Sequence, residues 1–314
     1  MQAELSCPVF LRPDYEPPVQ IGPLGGVSIE PLGDAFREEL FSQCPLIRPR
    51  NQMELFHEPY SHRLFIEIPL TSNPDCVTED EWQPFFETII LSRIVKPHRL
   101  PHQPPWFKTF YDDDGNLTHR SRFRITSLAV AHTQGSAIER NTITDVDADR
   151  VNRLWPSFHE MMDPAHRQRW VRIVRAVRFF EFAQSAFYLE QQTPLVHAAL
   201  ESLICTSSNQ NRAQVLQRLI AITGISDPEA GEIYDLCCDF KHEAQALQQF
   251  PLSPTGTLDP TDRARRDAAA KLQVSVRQIL LRAFDDRSFA AIIADVNQLR
   301  NSYRVLDRNG GVVP

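Results

Sequence analysis

Proline divides this chain into two parts that cannot fold alike. Of the 24 prolines, 17 lie before residue 161, and they include the pairs Pro17-Pro18 and Pro104-Pro105. Because a helix tolerates proline mainly in its first turn, this part must consist of loops, strands and short helices. The part that follows has few helix breakers, so it is able to form long helices.

Short patterns in the first part predict both strands and a helix. Three segments alternate apolar and polar side chains as strands do: Val27–Ile29, Arg63–Ile68 and Arg120–Val130. The last segment follows the turn Asp113–Asn116, which predicts a β-hairpin. Glu79–Ile94 instead carries its large apolar residues at helical spacing. We therefore predict an α+β N-terminal domain over residues 1–143, and one hypothesis is that it senses a partner or a ligand.

From about Thr144 onward the pattern changes to long amphipathic segments. The predicted helices are Val146–Met162, His166–Leu189, Pro194–Cys205, Arg212–Thr223, Pro228–Leu247, Thr261–Phe284 and Ser288–Leu299. Three of them begin where a capping residue precedes a proline that suits the first helical turn: Asp163-Pro164, Thr193-Pro194 and Asp227-Pro228. The sequence therefore predicts an all-α helical bundle after the α+β domain.

The same pattern sets the boundaries of this second part. We expect a connecting helix over residues 144–165 and the bundle itself over residues 166–300. Gln249–Pro260, which contains three prolines and a glycine, predicts a loop on the bundle surface. Residues 301–314 are expected to form a flexible tail.

Composition excludes several classes of protein. The chain has 314 residues, of which 42% are hydrophobic and 23% are charged, and this balance is typical of a soluble globular protein. Its apolar runs are far shorter than the roughly 20 residues that cross a bilayer, and the N-terminus lacks the pattern of a signal peptide. Six irregularly spaced cysteines without a C-x-x-C pair predict reduced thiols. We therefore expect a cytoplasmic protein without a membrane partner.

Familiar ligand-binding motifs are missing as well. Ile21–Gly26 is rich in glycine but lacks the Lys-Ser/Thr of a phosphate loop, so it predicts a turn before a strand. Asp112–Gly115 lacks the alternating ligands of a calcium loop and fits a hairpin turn. His98 and His102 are separated by prolines that prevent a helix from aligning them. We therefore expect neither a metal ion nor a cofactor.

Charge is distributed unevenly along the chain. The net charge is −7, of which residues 1–160 contribute −8 and residues 161–314 contribute +1. This balance argues against binding of nucleic acid by bulk electrostatics, which needs a strongly basic surface. The second part is nevertheless the better candidate for binding an anion through local contacts.

A row of arginines opens the segment that begins at His166. Five of them lie within twelve residues: Arg167, Arg169, Arg172, Arg175 and Arg178. They lie opposite an apolar stripe of Trp170, Ile173, Val177 and Phe180. Two interpretations stay open, because the first four arginines are able to bind phosphate or an RNA backbone, or the face is only solvated. Further along, Phe179, Phe182 and Ala186 make the helix apolar on every side, which predicts a central position in the bundle.

The segment Pro228–Leu247 has one apolar face and one polar face. At about 100° per residue, its core stripe comprises Ile233, Leu236, Cys237, Phe240, Ala244 and Leu247. Cys237 is therefore expected to be a small buried side chain. His242 lies about 180° from that stripe, on the same outward face as Asp235 and Cys238. A solvated histidine and a functional histidine both fit this position.

Four short motifs follow one another in the second part. They are Phe179–Ala183, Ala199–Leu203, Arg218–Ala221 and Ile233–Leu236, the last of which leads to His242. In their order and spacing they resemble the HEPN domain (higher eukaryotes and prokaryotes nucleotide-binding), in particular its bacterial Apea-like subgroup. The resemblance covers residues 166–285. Leu24–Ile29 and Ile89–Arg93 also resemble parts of the N-terminal domain that precedes the bundle in that subgroup.

The resemblance implies a site related to metal-independent RNA cleavage. Family members often use an arginine followed, after four to six residues, by a histidine. The histidine moves a proton at the ribose 2′-hydroxyl, and the arginine neutralises charge on the phosphate. His242 matches the histidine, but Cys237 stands at the arginine position and Glu243 replaces the usual glycine. Without that arginine, another cation would be needed. The candidate catalytic residues are His242, Arg218, Lys241 and Glu201.

We therefore predict a degenerate HEPN-like protein that binds RNA, a nucleotide or a protein partner in a bacterial antiphage defence or stress system. The missing arginine favours a regulatory role over catalysis. Two alternatives stay open, namely an active endoribonuclease that uses His242 and a non-enzymatic dimerising scaffold. In the family, two bundles commonly meet through their histidine-bearing helices, so the resemblance implies a homodimer in which Asp235, Cys238 and His242 face a second chain.

Overall fold

Two compact units make up the part of the chain that the structure describes. The structure is a computed structural model, and the residues it describes are 1–9, 22–31, 62–96, 106–123, 143–186, 189–207, 211–242 and 260–306. Within these ranges the first unit extends to Pro156 and the second begins at Ser157. The first unit contains an antiparallel sheet, and the second is helical. The predicted order, an α+β domain followed by a helical one, is thus confirmed.

The sheet of the first unit has six described strands, all antiparallel to their neighbours. They are β1 (Gln2–Val9), β2 (Gly22–Leu24), β3 (Val27–Pro31), β4 (His62–Ile68), β5 (Trp106–Tyr111) and β6 (Leu117–Phe123), in the order β2-β3-β4-β1-β5-β6. In the central strand β1, Leu5 lies opposite Ile66 of β4 and Lys108 of β5. Both faces of β1 are buried, since Glu4 and Ser6 are as inaccessible as Leu5.

Only part of this sheet was predicted from the sequence. β3 and β4 contain the predicted strands Val27–Ile29 and Arg63–Ile68. The hairpin of β5 and β6 is also confirmed, but β6 begins at Leu117, three residues before the predicted start, and residues 124–130 lie outside the described ranges. β1, β2 and β5 were not predicted, because prolines lie within the first two and directly before the third.

The turn between β5 and β6 has a clear chemical basis. One carboxylate oxygen of Asp112 accepts hydrogen bonds from the backbone N–H groups of Asp114 (3.0 Å) and Asn116 (2.7 Å). Gly115 has a φ of +80°, a conformation that other residues rarely adopt. The Asp112–Gly115 motif is therefore a hairpin turn, as the sequence predicts.

Helix α1 (Glu79–Val95) matches the predicted helix Glu79–Ile94. Its N-terminus is closed by a capping box, in which the N–H of Thr78 donates to the carboxylate of Glu81 at 2.8 Å. Glu81 also pairs with Lys108 of β5, whose ammonium lies 2.7 Å away and is fully buried. The ammonium group donates further hydrogen bonds to the carbonyl oxygens of Asn73 and Cys76.

Eight further helices follow in the described residues. They are α2 (Asp145–Met162), α3 (Val171–Ser185), α4 (Leu189–Ile204), α5 (Asn211–Thr223), α6 (Asp227–His242), α7 (Pro260–Asp285), α8 (Arg287–Ala294) and α9 (Val296–Ser302). α2 lies in the predicted connecting region, and Pro156, at the division between the two units, is inside it. None of the helices in the described ranges is both long and apolar enough to cross a lipid bilayer.

Two predicted helix starts are wrong. A helix was expected from His166, but residues 164–170 form turns, and α3 begins only at Val171. A helix was also expected from Pro194, whereas α4 begins at Leu189 and contains Pro194. The missing N–H of this proline removes one backbone hydrogen bond. The helix persists because the following turns are packed into the core, where Val196, Ala199 and Leu200 are at most 1% exposed.

The end of the described chain also differs from the prediction. The expected helix Ser288–Leu299 is two helices, because Asp295 interrupts it and caps α9 by accepting hydrogen bonds from Asn297 and Gln298. The predicted tail begins too early. Val305 is fully buried, and the backbone of Leu306 exchanges two hydrogen bonds with the side chain of Gln217. Residues 307–314 lie outside the described ranges.

Candidate functional site

Helix α6 carries the positions at which the sequence predicts a histidine motif, Cys237 and His242. Its start is fixed by Ser226 and Glu229, which form a reciprocal cap, as expected for a helix beginning near Pro228. Lys241 and His242 occupy its last turn. Their side chains lie outside the described part of the structure, as do residues 243–259, which include most of the predicted surface loop.

The position of the family arginine lies in the core. Cys237 is 2% exposed, beside Ile233 and Leu236 of the same apolar stripe. The predicted burial of these three residues is thus confirmed, whereas the side chains of Phe240, Ala244 and Leu247 are outside the described residues. A group at position 237 of this helix faces the protein interior and is directed away from solvent.

The opposite face of α6 is polar, and it is joined to α5. Asp235 is exposed and forms an ion pair with Arg212 of α5. The same guanidinium lies over the ring of Tyr234, 5.0 Å from its centroid. Burial and a hydrogen bond with Cys238 raise the pKa of Tyr234 to about 12. Asp235 and Cys238 thus lie outward as predicted, but Asp235 already has a partner in its own chain.

Glu201 of α4 belongs to the same polar surface. Its carboxylate lies 3.9 Å from Nε2 of His197, one helical turn earlier, and the His197 ring packs edge-on against Tyr234 with centroids 6.4 Å apart. Negative charge on Glu201 contributes to the raised pKa of Tyr234. We call this group the α4–α6 cluster, and its members are His197, Glu201, Arg212, Tyr234, Asp235 and Cys238.

The α4–α6 cluster was only partly predicted. Glu201, Asp235 and Cys238 were singled out from the sequence, whereas His197, Arg212 and Tyr234 were missed. His197 and Glu201 stand four residues apart, which is the spacing of neighbours on a helix and would have linked them. A carboxylate and a guanidinium at one surface are able to bind complementary polar groups, for example the exocyclic amines and phosphates of RNA.

Arg218 does not approach this surface. The side chain is 1% exposed and is held by four acceptors around the end of α4. It donates to the carbonyls of Ile204 (2.7 Å) and Tyr303 (3.0 Å), to Gln214 (2.9 Å) and to the hydroxyl of Thr206 (3.3 Å). Burial lowers the pKa of this guanidinium. The prediction that Arg218 serves as a substitute catalytic cation is therefore corrected, because its bonds direct it into the bundle.

Arg172 is also an internal residue. Its guanidinium donates to the carbonyls of Ile293 (2.8 Å), Leu203 (3.0 Å) and Cys205 (2.9 Å). Burial lowers its pKa from 12.5 to about 10. Arg172 is therefore not part of the predicted arginine face. The carbonyl groups at the end of α4 need hydrogen-bond donors, and Arg172 supplies them.

The other four arginines of that row are exposed. Arg167 and Arg169 lie in the turns before α3, and Arg175 and Arg178 lie on the helix itself. The guanidinium of Arg169 covers the ring of Trp170 at 4.6 Å from its centroid. The second half of α3 is not buried on every side as predicted, since Phe182 is 61% exposed.

In the described ranges, no group of three or more His, Cys, Asp and Glu side chains is placed to hold a metal ion, and His98 and His102 lie outside those ranges.

Comparisons with known proteins do not identify a family for this chain. No protein family, curated protein or solved structure matches the chain.

Proposed function

We propose that this chain is a degenerate HEPN-like protein that binds RNA without cleaving it, as a regulatory component of a bacterial antiphage defence or stress system. The proposal rests on the resemblance of residues 166–285 and on one structural observation. Cys237, at the position of the family arginine, is buried against the core stripe of α6. The site thus has no guanidinium on the histidine-bearing helix with which to neutralise a phosphate.

The position of Arg218 also supports a non-catalytic role. Two of the three guanidinium nitrogen atoms of Arg218 donate hydrogen bonds to carbonyls and to Gln214 inside the bundle. Moving this side chain to the surface would leave several buried carbonyl groups without donors, which is unfavourable. Of the two substitute cations considered from the sequence, only Lys241 is therefore left for the alternative, an active ribonuclease.

An RNA cleavage assay tests the catalytic part of the proposal. The full chain is incubated with single-stranded RNA in the presence of a chelator, in parallel with the variants His242→Ala and Lys241→Ala. We expect the same background cleavage in all three. Metal-independent cleavage that is lost in His242→Ala would establish the alternative, and loss in Lys241→Ala as well would identify the substitute cation.

A second assay tests RNA binding through the exposed arginines. We expect Arg167→Ala combined with Arg175→Ala to weaken RNA binding severalfold. The salt dependence should also become shallower, by about 0.7 in the logarithmic slope per lost phosphate contact. The matched control is Arg263→Ala combined with Arg304→Ala, which removes two exposed arginines from other helices or loops. An equal effect in both double variants, or tight binding indifferent to salt, would show that the surface of Arg167 and Arg175 is not the contact surface.

A further inference from the structure

Three arginines from three helices meet at the C-terminal end of α4. Arg172 comes from α3, Arg218 from α5 and Arg300 from α9. Each of them donates a hydrogen bond to a backbone carbonyl of residues 203–206. We call these three side chains the arginine cluster.

The positive charge of the arginine cluster is not balanced by acidic side chains. Within the described residues, none of the three guanidinium groups forms an ion pair. Asp295 acts on Arg172 electrostatically, but its carboxylate caps α9. The carbonyl end of a helix is equivalent to about half a negative charge, so it offsets only a small part of three positive charges. The cluster therefore has an excess of positive charge in a mostly buried place.

The cluster also has hydrogen-bond donors that point to no acceptor. Nη2 of Arg218 is buried and unpartnered, and the whole side chain is 1% exposed. Nε of Arg300 is likewise buried and unpartnered, and among the described residues this guanidinium donates a long hydrogen bond of 3.4 Å to the carbonyl of Thr206. Buried donors almost always have an acceptor, so an additional acceptor is expected between these two side chains.

From this geometry we propose that the arginine cluster binds a terminal phosphate group, supplied either by inorganic phosphate or by a phosphomonoester such as a nucleoside 5′-monophosphate. Guanidinium groups bind phosphate oxygens through paired N–H groups, and a phosphate dianion supplies both the missing acceptors and the missing negative charge. A terminal phosphate fits better than a phosphodiester within a strand, because Arg218 is 1% exposed, whereas Thr206 and Arg300 beside it are half-buried. This site is separate from the proposed RNA surface and does not depend on it.

The proposal is tested by calorimetric titration of the full chain with inorganic phosphate, at an ionic strength matched with chloride. Parallel titrations use 5′-AMP as the phosphomonoester and adenosine as its phosphate-free control. The variant Arg300→Gln removes a half-buried member of the cluster and leaves the bonds of Arg218 in place. Arg304→Gln is the matched control, because Arg304 is exposed and lies four residues later. Circular dichroism checks that both variants are folded.

We expect phosphate or 5′-AMP to bind saturably and adenosine not to bind. Loss of one bidentate contact should weaken binding at least about tenfold in Arg300→Gln, and Arg304→Gln should stay within about twofold of the unaltered chain. Binding of phosphate alone would identify a free anion as the ligand, and tighter binding of 5′-AMP would identify a phosphomonoester. Absence of saturable binding by both, equal affinity in Arg300→Gln, or equal binding of adenosine would each overturn the proposal.

Discussion

Arg172 and Arg175 lie three residues apart on α3 in opposite environments. Arg172 is directed into the bundle and binds three carbonyl groups, and Arg175 is exposed. From the sequence the two were equivalent members of one basic row. The distinction depends on the carbonyl of Leu203, which is 31 residues away along the chain and is brought close only by packing of α3 on α4. The periodicity of one helix does not contain this information.

This pair gives a direct stability test. Arg172→Gln should lower the free energy of unfolding by about 2 kcal/mol, because buried carbonyl groups lose their donors. Arg175→Gln should change it by less than about 0.5 kcal/mol, as is usual at an exposed position. Denaturant unfolding measures both. Equal stabilities in the two variants would show that Arg172 does not support the end of α4.

The buried ion pair between Lys108 and Glu81 is a second contact that was not predicted from the sequence. Burial of Glu81 opposes its ionisation, but hydrogen bonds from Lys108 and from the N–H of Thr78 outweigh this effect and hold its pKa below 4.5. A carboxylate with a lowered pKa stabilises the folded state above its ordinary pKa. This contribution disappears as the pH falls through the folded value.

We therefore expect Lys108→Met to destabilise the protein by about 3 kcal/mol at neutral pH, since it leaves a buried carboxylate without its cation. The difference from the unaltered chain should shrink as the pH falls below 4.5 and Glu81 becomes protonated. The control Lys96→Met removes a half-exposed pair with Asp147 and should cost about 1 kcal/mol or less. Denaturant unfolding at a series of pH values checks both expectations. A penalty for Lys108→Met that is independent of pH would contradict the role of Glu81.

At the scale of elements, regular helices were predictable and their ends were less so. Helices α1, α5 and α7 lie close to the predicted ranges because their apolar residues recur at helical spacing over several turns. The errors fall where proline was used to mark a boundary, as at Pro194, or where one aspartate divides a continuous pattern, as at Asp295. At Pro194 packing between elements decides the outcome, whereas at Asp295 the local cap of α9 divides the pattern.

The candidate site shows the same limit. Burial of Cys237 and exposure of Asp235 follow from placing residues at 100° intervals on one helix, and both are found. The α4–α6 cluster joins three helices, and the sequence does not show which of their faces meet. Arg212 and Tyr234 were therefore missed, although each stands in a helix that was predicted.

The turn between β2 and β3 provides a test at this scale. Gly25 has a φ of +61°, and its N–H donates to the side chain of Asn152 on α2 at 2.7 Å. A Cβ atom at Gly26 would lie 2.3 Å from Cζ2 of Trp155, also on α2. Gly25 and Gly26 thus form the predicted turn, whereas Gly22–Leu24 of the same glycine-rich stretch is strand β2. At Gly26 the approach of an indole ring requires glycine.

Gly26→Ala should therefore destabilise the protein by about 1–3 kcal/mol through overpacking. Trp155→Leu removes the obstructing ring, so the alanine should cost much less in the double variant than in the single one. Thermal or denaturant unfolding of the four proteins gives this comparison. Additive effects of the two substitutions would show that the indole does not restrict position 26.

At the scale of the whole molecule, the proposed homodimer makes its own prediction. If α6 of two chains meets at a twofold axis, the exposed Asp235 of each chain faces the other chain, and His242 is predicted from the sequence to lie on the same face. Asp235 is already paired with Arg212, and exposed ion pairs contribute little, so we expect a weak dimer that dissociates on dilution.

Sedimentation of the full chain at several concentrations tests this dimer. Asp235→Arg combined with His242→Glu should shift the equilibrium towards monomer. Asp149→Arg combined with His166→Glu changes two exposed residues elsewhere by the same charges and should leave it unchanged. A monomer at all concentrations, or a dimer equally stable in both double variants, would exclude the α6 interface.

The end of α4 also has a consequence for the order in which the chain folds. Its carbonyl groups are bound by side chains that are 31 and 94 residues distant in sequence, and Arg218 in turn binds a carbonyl 85 residues further on. Closing such long loops is entropically costly, so these bonds belong to a late stage of folding. Interactions that form after the transition state slow unfolding and leave the folding rate nearly unchanged. The arginines at the end of α4 therefore slow the unfolding of the bundle, whereas other contacts set its folding rate.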